Sequence, residues 1–507
     1  MKIQMNMTII ASIRRSLLIT GFLIAGTCLF GQYSNVMYYM QSVPQAHFLN
    51  PARQPLCNFY FGIPAASSVF VNYGNNSFDV YDLIFPGSGP QSDSLITILH
   101  PSYDIGEFID KLKISNLQSA DASVSLFSLG FRAKNSYITF DLSTKTMARI
   151  AVPRDLMAIV LQGNGEFIGK EANFSPLRLN ASAYHEFGIG ISRRLTRNFY
   201  FGFRPKLLLG VANVTTANPV PDIGLYTDPD NFDLNFHSQL TLNVSAPIDV
   251  TYTSEGEIDN VEFRDIPDNE IVKTILNVKN PGMGLDLGME YQLTDKVALS
   301  ASLLDLGFIR WGSNTYNFKQ NGEFLFTGFD LSDGLVEDSD WEFEDEAESL
   351  LDSIKTLFNV DDEAEAYFTF LAPKLYLGAS YDLNNMLRLG FLSRTEFFGA
   401  RLRQSLSLSA NLFLAKFLNL SASYNILNGT YDNLGAGFAL KLGPLHVYTV
   451  IDKVPVHWTK IEATTDDFDE LNGLIIPSKL NSINARVGLN FMFGCRQKRM
   501  NDKPLVF

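Results

Sequence analysis

The chain has few cysteines and few charges, and no long hydrophobic run follows its N-terminal segment. There are 3 cysteines among 507 residues, and charged residues make up 19% of the total. Past residue 31, no segment has the roughly 18 consecutive apolar residues that a membrane-spanning helix needs. These absences exclude a disulfide-rich scaffold and a helical membrane protein.

The motifs of catalysis and metal binding are also absent. The 6 histidines are scattered, and there is no His-Glu-x-x-His, no Gly-x-Ser-x-Gly and no phosphate-binding glycine loop. His446 and His457 are interpreted as wall and loop residues rather than as a base. We predict no catalytic, cofactor-binding or metal-binding residue. A serine and a histidine brought together only by folding stay an alternative.

Residues 1–31 have the layout of a secretory signal peptide. Three basic residues, the last of them Arg15, precede an apolar run over residues 17–30 that ends at the small residue Gly31. We expect cleavage after Gly31, and a lipoprotein anchored at Cys28 is the alternative. The net charge is -14 for the whole chain and -17 without the three basic residues of this segment. Such an acidic chain argues against nucleic acid as a partner.

The clearest pattern in the chain lies between Gln404 and Asn425, where apolar and small polar residues alternate. The alternation restarts after Ala415 and Lys416. Because strand side chains point alternately to opposite faces, this pattern predicts two antiparallel strands joined by a tight turn. Each strand is long enough to cross a bilayer when tilted. A soluble β-sandwich has the same alternation, so this stretch alone does not separate the two folds.

Short turns and long insertions are distributed unequally along the chain. Three hairpins, at 190–195, 288–293 and 378–383, each lead through three mostly polar residues into a new alternating strand. The long insertions, notably 312–372 and 454–482, fall between hairpins and must collect at the other rim. Short periplasmic turns and long outer loops are typical of outer-membrane barrels.

The strand count depends on two weaker segments, at 222–228 and 232–246. With them the pattern gives about sixteen strands, and without them about fourteen, both even as expected when the two termini share a side. Proline at Pro64 predicts a bulge or edge feature in the first strand, which we place over residues 56–73.

Three insertions carry helix signals. Asp104 and Glu107 are spaced as a capping box, and a second short helix is expected after Pro153. The acidic segment 330–365 has a helical apolar face that includes Phe358. We interpret it as a solvated helix rather than as a site for calcium or a basic partner, because its spacing matches no known calcium loop.

Aromatic residues cluster near the predicted strand ends, and Tyr291, Trp311 and Tyr381 are examples. In a bilayer they would form the interfacial girdles. The general preference of aromatic residues for strands is the alternative explanation.

The final strand contains Gly488-Leu-Asn-Phe491-Met-Phe493, which resembles the terminal assembly signal of outer-membrane barrels. Val487 stands where a polar residue is usual, and a basic tail follows. The resemblance implies recognition of Gly488, Phe491 and Phe493 by the barrel-assembly machinery. It also implies residence among the lipids of a Gram-negative outer membrane.

Several segments look like a group of uncharacterised outer-membrane barrels: Asn50-Pro51-Ala52, residues 304–311 and residues 375–381. That group is similar to FadL-type hydrophobic-compound channels and to the PorP/SprF-type barrels that accompany type IX secretion. The resemblance implies that the N-terminal segment plugs the lumen, with Asn50 and Pro51 inside. It implies either a small hydrophobic ligand or a secreted or surface protein as the partner.

Only Cys57 and Cys495 remain once the signal peptide is removed. Barrel closure makes the first and last strands neighbours, so both cysteines should lie on the periplasmic rim. A disulfide would close the seam there, whereas a register difference of one residue would leave two free thiols.

The sequence therefore predicts an all-β protein, a closed antiparallel transmembrane barrel of 14 to 16 strands with short periplasmic turns and long outer loops. The predicted segments are a signal peptide (1–31), a plug (32–55), the barrel (56–493) and a basic periplasmic tail (494–507). The predicted function is a passive channel for small hydrophobic or amphipathic molecules. A scaffold that binds secreted or surface proteins is the alternative.

Overall fold

The computed structural model describes residues 35–86, 95–217, 221–252, 258–264, 278–327, 358–360, 365–398, 401–414, 417–427, 430–454, 458–460, 475–477 and 481–495. The predicted signal peptide, most of the acidic segment, His457 and the tail after Cys495 lie outside these described residues.

Strands dominate the described residues. The first thirteen are β1 (Phe59–Gly62), β2 (Val69–Asn75), β3 (Ile84–Pro86), β4 (Leu95–Thr97), β5 (Ser115–Ala133), β6 (Ser136–Pro153), β7 (Glu171–Asn173), β8 (Arg178–Arg194), β9 (Phe199–Thr216), β10 (Asp222–Thr227), β11 (Leu234–Ser245), β12 (Ile248–Tyr252) and β13 (Ile258–Phe263). The others are β14 (Pro281–Gln292), β15 (Val297–Trp311), β16 (Thr315–Phe326), β17 (Phe358–Val360), β18 (Tyr367–Phe370), β19 (Lys374–Asp382), β20 (Leu387–Phe398), β21 (Arg401–Leu414), β22 (Leu418–Leu427), β23 (Thr430–Leu442), β24 (Leu445–Val454), β25 (Trp458–Lys460), β26 (Ile475–Pro477) and β27 (Ser482–Phe493).

Fourteen antiparallel strands form one closed barrel. The first is β1 continued by β2, and the wall then runs through β5, β6, β8, β9, β14, β15, β19, β20, β21, β22, β23, β24 and β27. The last strand pairs back to the first at Phe61↔Phe491 and at Val69↔Val487. The prediction of a closed antiparallel barrel is confirmed.

The first wall strand is interrupted at residues 63–68. Proline has no N–H and cannot continue a strand ladder, so β1 ends just before Pro64. Ala65 takes a left-handed φ of 58° there. The backbone N–H groups of Ile63 and Leu489 keep the bulge attached to β27 by donating across the gap. The predicted bulge at Pro64 is confirmed.

The two weaker segments form strands β10 and β11, but these strands are not part of the wall. β11 pairs with β16 along its whole length and meets β9 only at residues 213–216. Over residues 199–209, β9 pairs with β14 instead. A strand edge bonds one neighbour at a time, so β11 is displaced above the rim. The count of sixteen is therefore wrong, and fourteen is correct.

Apolar side chains face outward and small polar ones face the lumen. On β21, Leu408 is 58% exposed on the outside, whereas Ser407 is 3% exposed on the inside. Other outward apolar side chains include Phe203, Met289, Leu299, Leu377, Leu389, Phe438 and Ile483. This apolar-out, polar-in arrangement is that of a transmembrane barrel and opposite to a soluble sandwich.

The two rims differ as predicted. Every connection on one rim, here called the turn rim, is short, and this rim also holds Cys57 and the end of β27. The long connections all lie on the other rim, the loop rim, with helices α1 (Val80–Leu83), α2 (Ile105–Lys111) and α3 (Arg154–Gln162). The loop rim also carries two short connections, 398–401 and 427–430. The helices after Asp104 and Pro153 are confirmed, and Phe358 lies in β17 rather than in a helix. No helix among the described residues has the length and apolar composition to cross a bilayer.

The aromatic girdle forms only in part. Tyr291 and Tyr381 lie outside the wall near the turn rim and are 44% and 41% exposed. Trp311, predicted for the girdle, is instead fully buried inside the barrel. Its Nε1 donates to Thr369 Oγ1 at 2.8 Å, and its ring stacks on Tyr367.

Candidate functional site

Residues 35–54 occupy the lumen and are called the plug. It contains two short 3-10 helices, Val36–Tyr39 and Pro44–Phe48. Pro44 stands at the first position of its helix, where a missing N–H costs nothing. The helix cannot continue far because proline at Pro51 disfavours a helical conformation at Asn50. Asn50 and Pro51 are both buried inside the barrel.

An apolar cluster joins the plug to the wall. On the plug side it contains Val36, Met37, Tyr38, Tyr39, Met40, Val43 and Leu49. On the wall side it contains Leu304, Tyr376, Leu392, Ala439, Tyr448 and Val450. All are nearly inaccessible to solvent, so the plug is packed like a protein core.

Polar contacts anchor the plug at many heights. Tyr39 Oη donates to the Phe391 carbonyl at 2.6 Å, and Gln45 Nε2 donates to Asn490 Oδ1 at 2.7 Å. Further contacts are Val36 N to Asp452 Oδ1 (2.8 Å), Ser302 Oγ to the Leu49 carbonyl (2.6 Å) and Ser192 Oγ to the Ala52 carbonyl (2.7 Å). Strands from all around the barrel take part, so the plug is held on several sides.

Wall glycines give the plug its space. A Cβ at Gly202 would overlap the backbone of Pro51, and a Cβ at Gly288 would overlap Asn50. At Gly437 it would lie 2.6 Å from the sulfur of Met40. The wall is therefore shaped to the plug.

Six adjacent wall strands, from β6 to β19, carry paired charges inside the barrel, here called the charged arc. Its members are Asp141, Lys145, Glu186, Arg204, Lys206, Asp286, Asp305 and Lys374. Arg204 Nη1 lies 3.0 Å from Glu186 and 2.9 Å from Asp286. Lys206 Nζ lies 2.6 Å from Asp286 and 2.5 Å from Asp305. Each buried charge thus has a partner, as burial requires.

His47 connects the plug to the charged arc. Its Nδ1 is 2.8 Å from the Pro44 carbonyl and its Nε2 is 2.9 Å from Asp141 Oδ2. Asp141 also lies 3.7 Å from Arg204 Nε, so the plug joins the charged arc at a carboxylate that a wall arginine approaches as well.

Strands β21 and β22 present a different surface, here called the neutral arc. It consists of Ser405, Ser407, Ser409, Asn411, Asn419, Ser421, Ser423 and Asn425. Two plug residues reach it: Asn419 Nδ2 donates to Ser42 Oγ at 2.9 Å, and Asn35 Nδ2 donates to Ser405 Oγ at 3.3 Å. The plug therefore contacts the charged arc through His47 and the neutral arc through Asn35 and Ser42.

The remaining sequence-derived residues lie on or near the turn rim. The structure joins Cys57 and Cys495 in a disulfide across 438 residues of sequence. Phe491 and Phe493 point outward and are 38% and 49% exposed, while Gly488 lies against Tyr448. His446 is buried and faces the lumen, although we interpreted it only as a wall residue. Among the described residues no group of His, Cys, Asp or Glu is arranged to hold a metal ion.

Sequence reasoning missed the charged arc. Its residues are single charges at inward positions of alternating strands, for example Asp141 on β6 and Lys206 on β9. A charge at an inward position could have predicted this network, because a buried charge needs a partner of opposite sign from another strand.

Several solved structures resemble this chain at low sequence identity and low TM-score. The P. putida toluene transporter TodX has 9% identity, a TM-score of 0.38 and coverage of 89% of this chain and 95% of that one. A Pseudomonas aeruginosa FadL homologue has 11% identity, a TM-score of 0.39 and coverage of 93% and 100%. The Ralstonia pickettii toluene transporter TbuX has 10% identity, a TM-score of 0.38 and coverage of 88% and 93%. Similarity at this level assigns neither substrate nor activity.

The sequence comparisons are more specific about family than about function. No curated protein matches the chain. A model of a family of unknown function, DUF5723, matches residues 51–452, which is most of the barrel. The chain belongs to this family.

Proposed function

We propose that this protein is an outer-membrane channel for small amphipathic molecules that its own plug holds closed. The supporting observation is that the wall closes entirely through its own strand pairing, whereas residues 35–54 fill the lumen through non-covalent contacts. Movement of the plug would open a passage without breaking the wall.

The location rests on the outward apolar face, the predicted signal peptide and the terminal pattern ending at Phe493. An outward face of this kind needs lipid around it. We expect the unboiled protein to migrate differently from the boiled protein on a gel and to fractionate with the outer membrane. Recovery as a soluble periplasmic monomer would contradict this location.

Two groups of inward residues support the proposed ligand class. Between the plug and the loop rim, Tyr184, Leu208, Ile309, Trp311, Tyr367 and Leu371 form an apolar cluster on the charged side of the lumen. The neutral arc provides hydroxyls and amides across from it. A surface that is mostly apolar with a few oriented polar groups suits a molecule with an apolar body and a polar end.

A non-transport scaffold for secreted or surface proteins is the second candidate. It is favoured by the fit between plug and wall, since glycines at Gly202 and Gly288 admit the plug backbone so closely. A lumen filled in this way suits a rigid support.

Variants that weaken the contacts of the plug to different extents distinguish a channel from a scaffold, because only a channel should conduct more solute when the plug is weakened. Deletion of residues 36–53 should raise the flux of a small amphipathic solute into reconstituted vesicles, with the heat-dependent gel shift retained. The double substitution Tyr39→Phe and Gln45→Ala removes the contacts to Phe391 and Asn490 and should raise flux less. Unchanged flux in a folded deletion variant would support the scaffold.

A further inference from the structure

A small cavity lies between the plug and the wall close to the turn rim. Its volume is about 10 Å³, and the residues that matter in its lining are His47, Arg53, Tyr137, Thr139, Ser192 and Arg204. Space of this size admits about one water-sized occupant. The cavity lies next to the pair of His47 and Asp141.

Several donor atoms of the residues that line this cavity have no hydrogen-bond partner among the described residues. Arg53 Nε, Arg204 Nε and Nη2, Tyr137 Oη and Thr139 Oγ1 are all buried and make no hydrogen bond within the described part of the chain. Buried donors normally have a hydrogen-bond partner, and leaving a buried donor atom without one is costly. One plug residue and three wall residues therefore place donor atoms that lack an acceptor around the same cavity.

The arrangement of charge favours an anion. No carboxylate lines the cavity within the described residues. Two carboxylates come near the unbonded guanidinium nitrogens but stay beyond hydrogen-bond distance, with Asp141 3.7 Å from Arg204 Nε and Glu290 3.7 Å from Arg53 Nε. Guanidinium nitrogens can only donate, and both hydroxyls are able to donate. A water molecule accepts about two hydrogen bonds, whereas an anion accepts from all these donors at once.

We propose that this cavity binds one small monovalent anion of halide size, which bridges Arg53 of the plug to Arg204, Tyr137 and Thr139 of the wall. The anion fastens the plug at the turn rim next to the contact between His47 and Asp141. The proposal does not depend on what the channel carries or on whether it transports at all.

Bromide is the direct probe. Crystals of the full mature chain grown with sodium bromide should give one anomalous peak within contact distance of Tyr137 Oη and Thr139 Oγ1. A water molecule, or nothing, at this position in a bromide-containing crystal would overturn the proposal.

Thermal unfolding in solution gives a second, independent measurement. Replacing gluconate by bromide at constant ionic strength, which keeps screening fixed, should raise the unfolding midpoint in a saturable way. The double variant Tyr137→Phe and Thr139→Val removes two donors that have no hydrogen-bond partner in the described part of the chain, so it should fold. Its half-saturating bromide concentration should rise about tenfold or more, since bonds to charged groups are strong.

Tyr376→Phe is the matched control. Tyr376 is also a fully buried tyrosine, but it does not line the cavity. This variant should keep the full bromide response. A response to acetate and not to bromide would assign the site to a carboxylate and overturn the halide. An equal bromide response in the double variant would overturn the site.

Discussion

The charged arc and the neutral arc line the same lumen, yet they stabilise it differently. In the charged arc the partners come from distant parts of the chain, as with Lys206 and Asp305, which are 99 residues apart. In the neutral arc they come from neighbouring strands, as with Ser407 and Asn425, which are 18 residues apart. A buried charge without its partner is far more costly than an exchanged amide bond. We therefore expect the plug to leave the neutral arc first and the charged arc last.

Breaking the charged arc should have the largest effect. Lys206→Met leaves Asp286 and Asp305 without their shared cation, and removal of one member of a buried charge cluster costs about 3–5 kcal/mol. Equilibrium unfolding in urea from lipid vesicles measures the change. A loss no larger than that of a neutral-arc variant would contradict the comparison.

Removing the disulfide where the first and last strands meet should have the next largest effect on the free energy of unfolding. The disulfide joins the segment before β1 to the end of β27, and its loss through Cys57→Ser should cost about 2–4 kcal/mol. Mass analysis of unreduced protein after alkylation should find no modified thiol. Two alkylatable thiols in natively extracted protein would show that the bridge does not form.

A charge placed on either face of the neutral arc tests which face meets lipid. Leu420 points outward and Ser421 points into the lumen. Leu420→Asp should impair assembly by on the order of 2 kcal/mol, because it places a carboxylate in the bilayer. Ser421→Asp should be milder by the same assembly assay, and equal effects would refute the assignment of faces.

Removing one hydroxyl from the neutral arc should have the smallest effect. Ser409 Oγ accepts one long hydrogen bond from Asn411 Nδ2 at 3.3 Å. Ser409→Ala should therefore change the free energy of unfolding by about 1 kcal/mol or less. The same urea titration measures this change. A loss of stability as large as that of Lys206→Met would show that the two arcs do not differ in their contribution to stability.

Local sequence was informative where the local pattern was uninterrupted. The alternation over β21 and β22 predicted both strands and both faces, because neither strand contains a bulge next to the turn. Trp311 was misplaced because β15 carries a bulge at Asp305, where φ is 59° and the register with β14 shifts. Inward positions are even-numbered before Asp305 and odd-numbered after it, so Trp311 turns into the lumen. One extra residue reverses every side chain that follows.

The sequence by itself determined what depends on a period of two: strands, hairpins, the apolar face and the separation of short turns from long loops. It did not determine the number of wall strands, since β11 is as regular as a wall strand and is excluded only because β14 pairs with β9. Only the tertiary structure decided which charges pair, where the plug packs and how Cys57 meets Cys495. Those contacts join residues that are far apart in the chain, and a local pattern carries no information about which distant residue becomes a neighbour when the barrel closes.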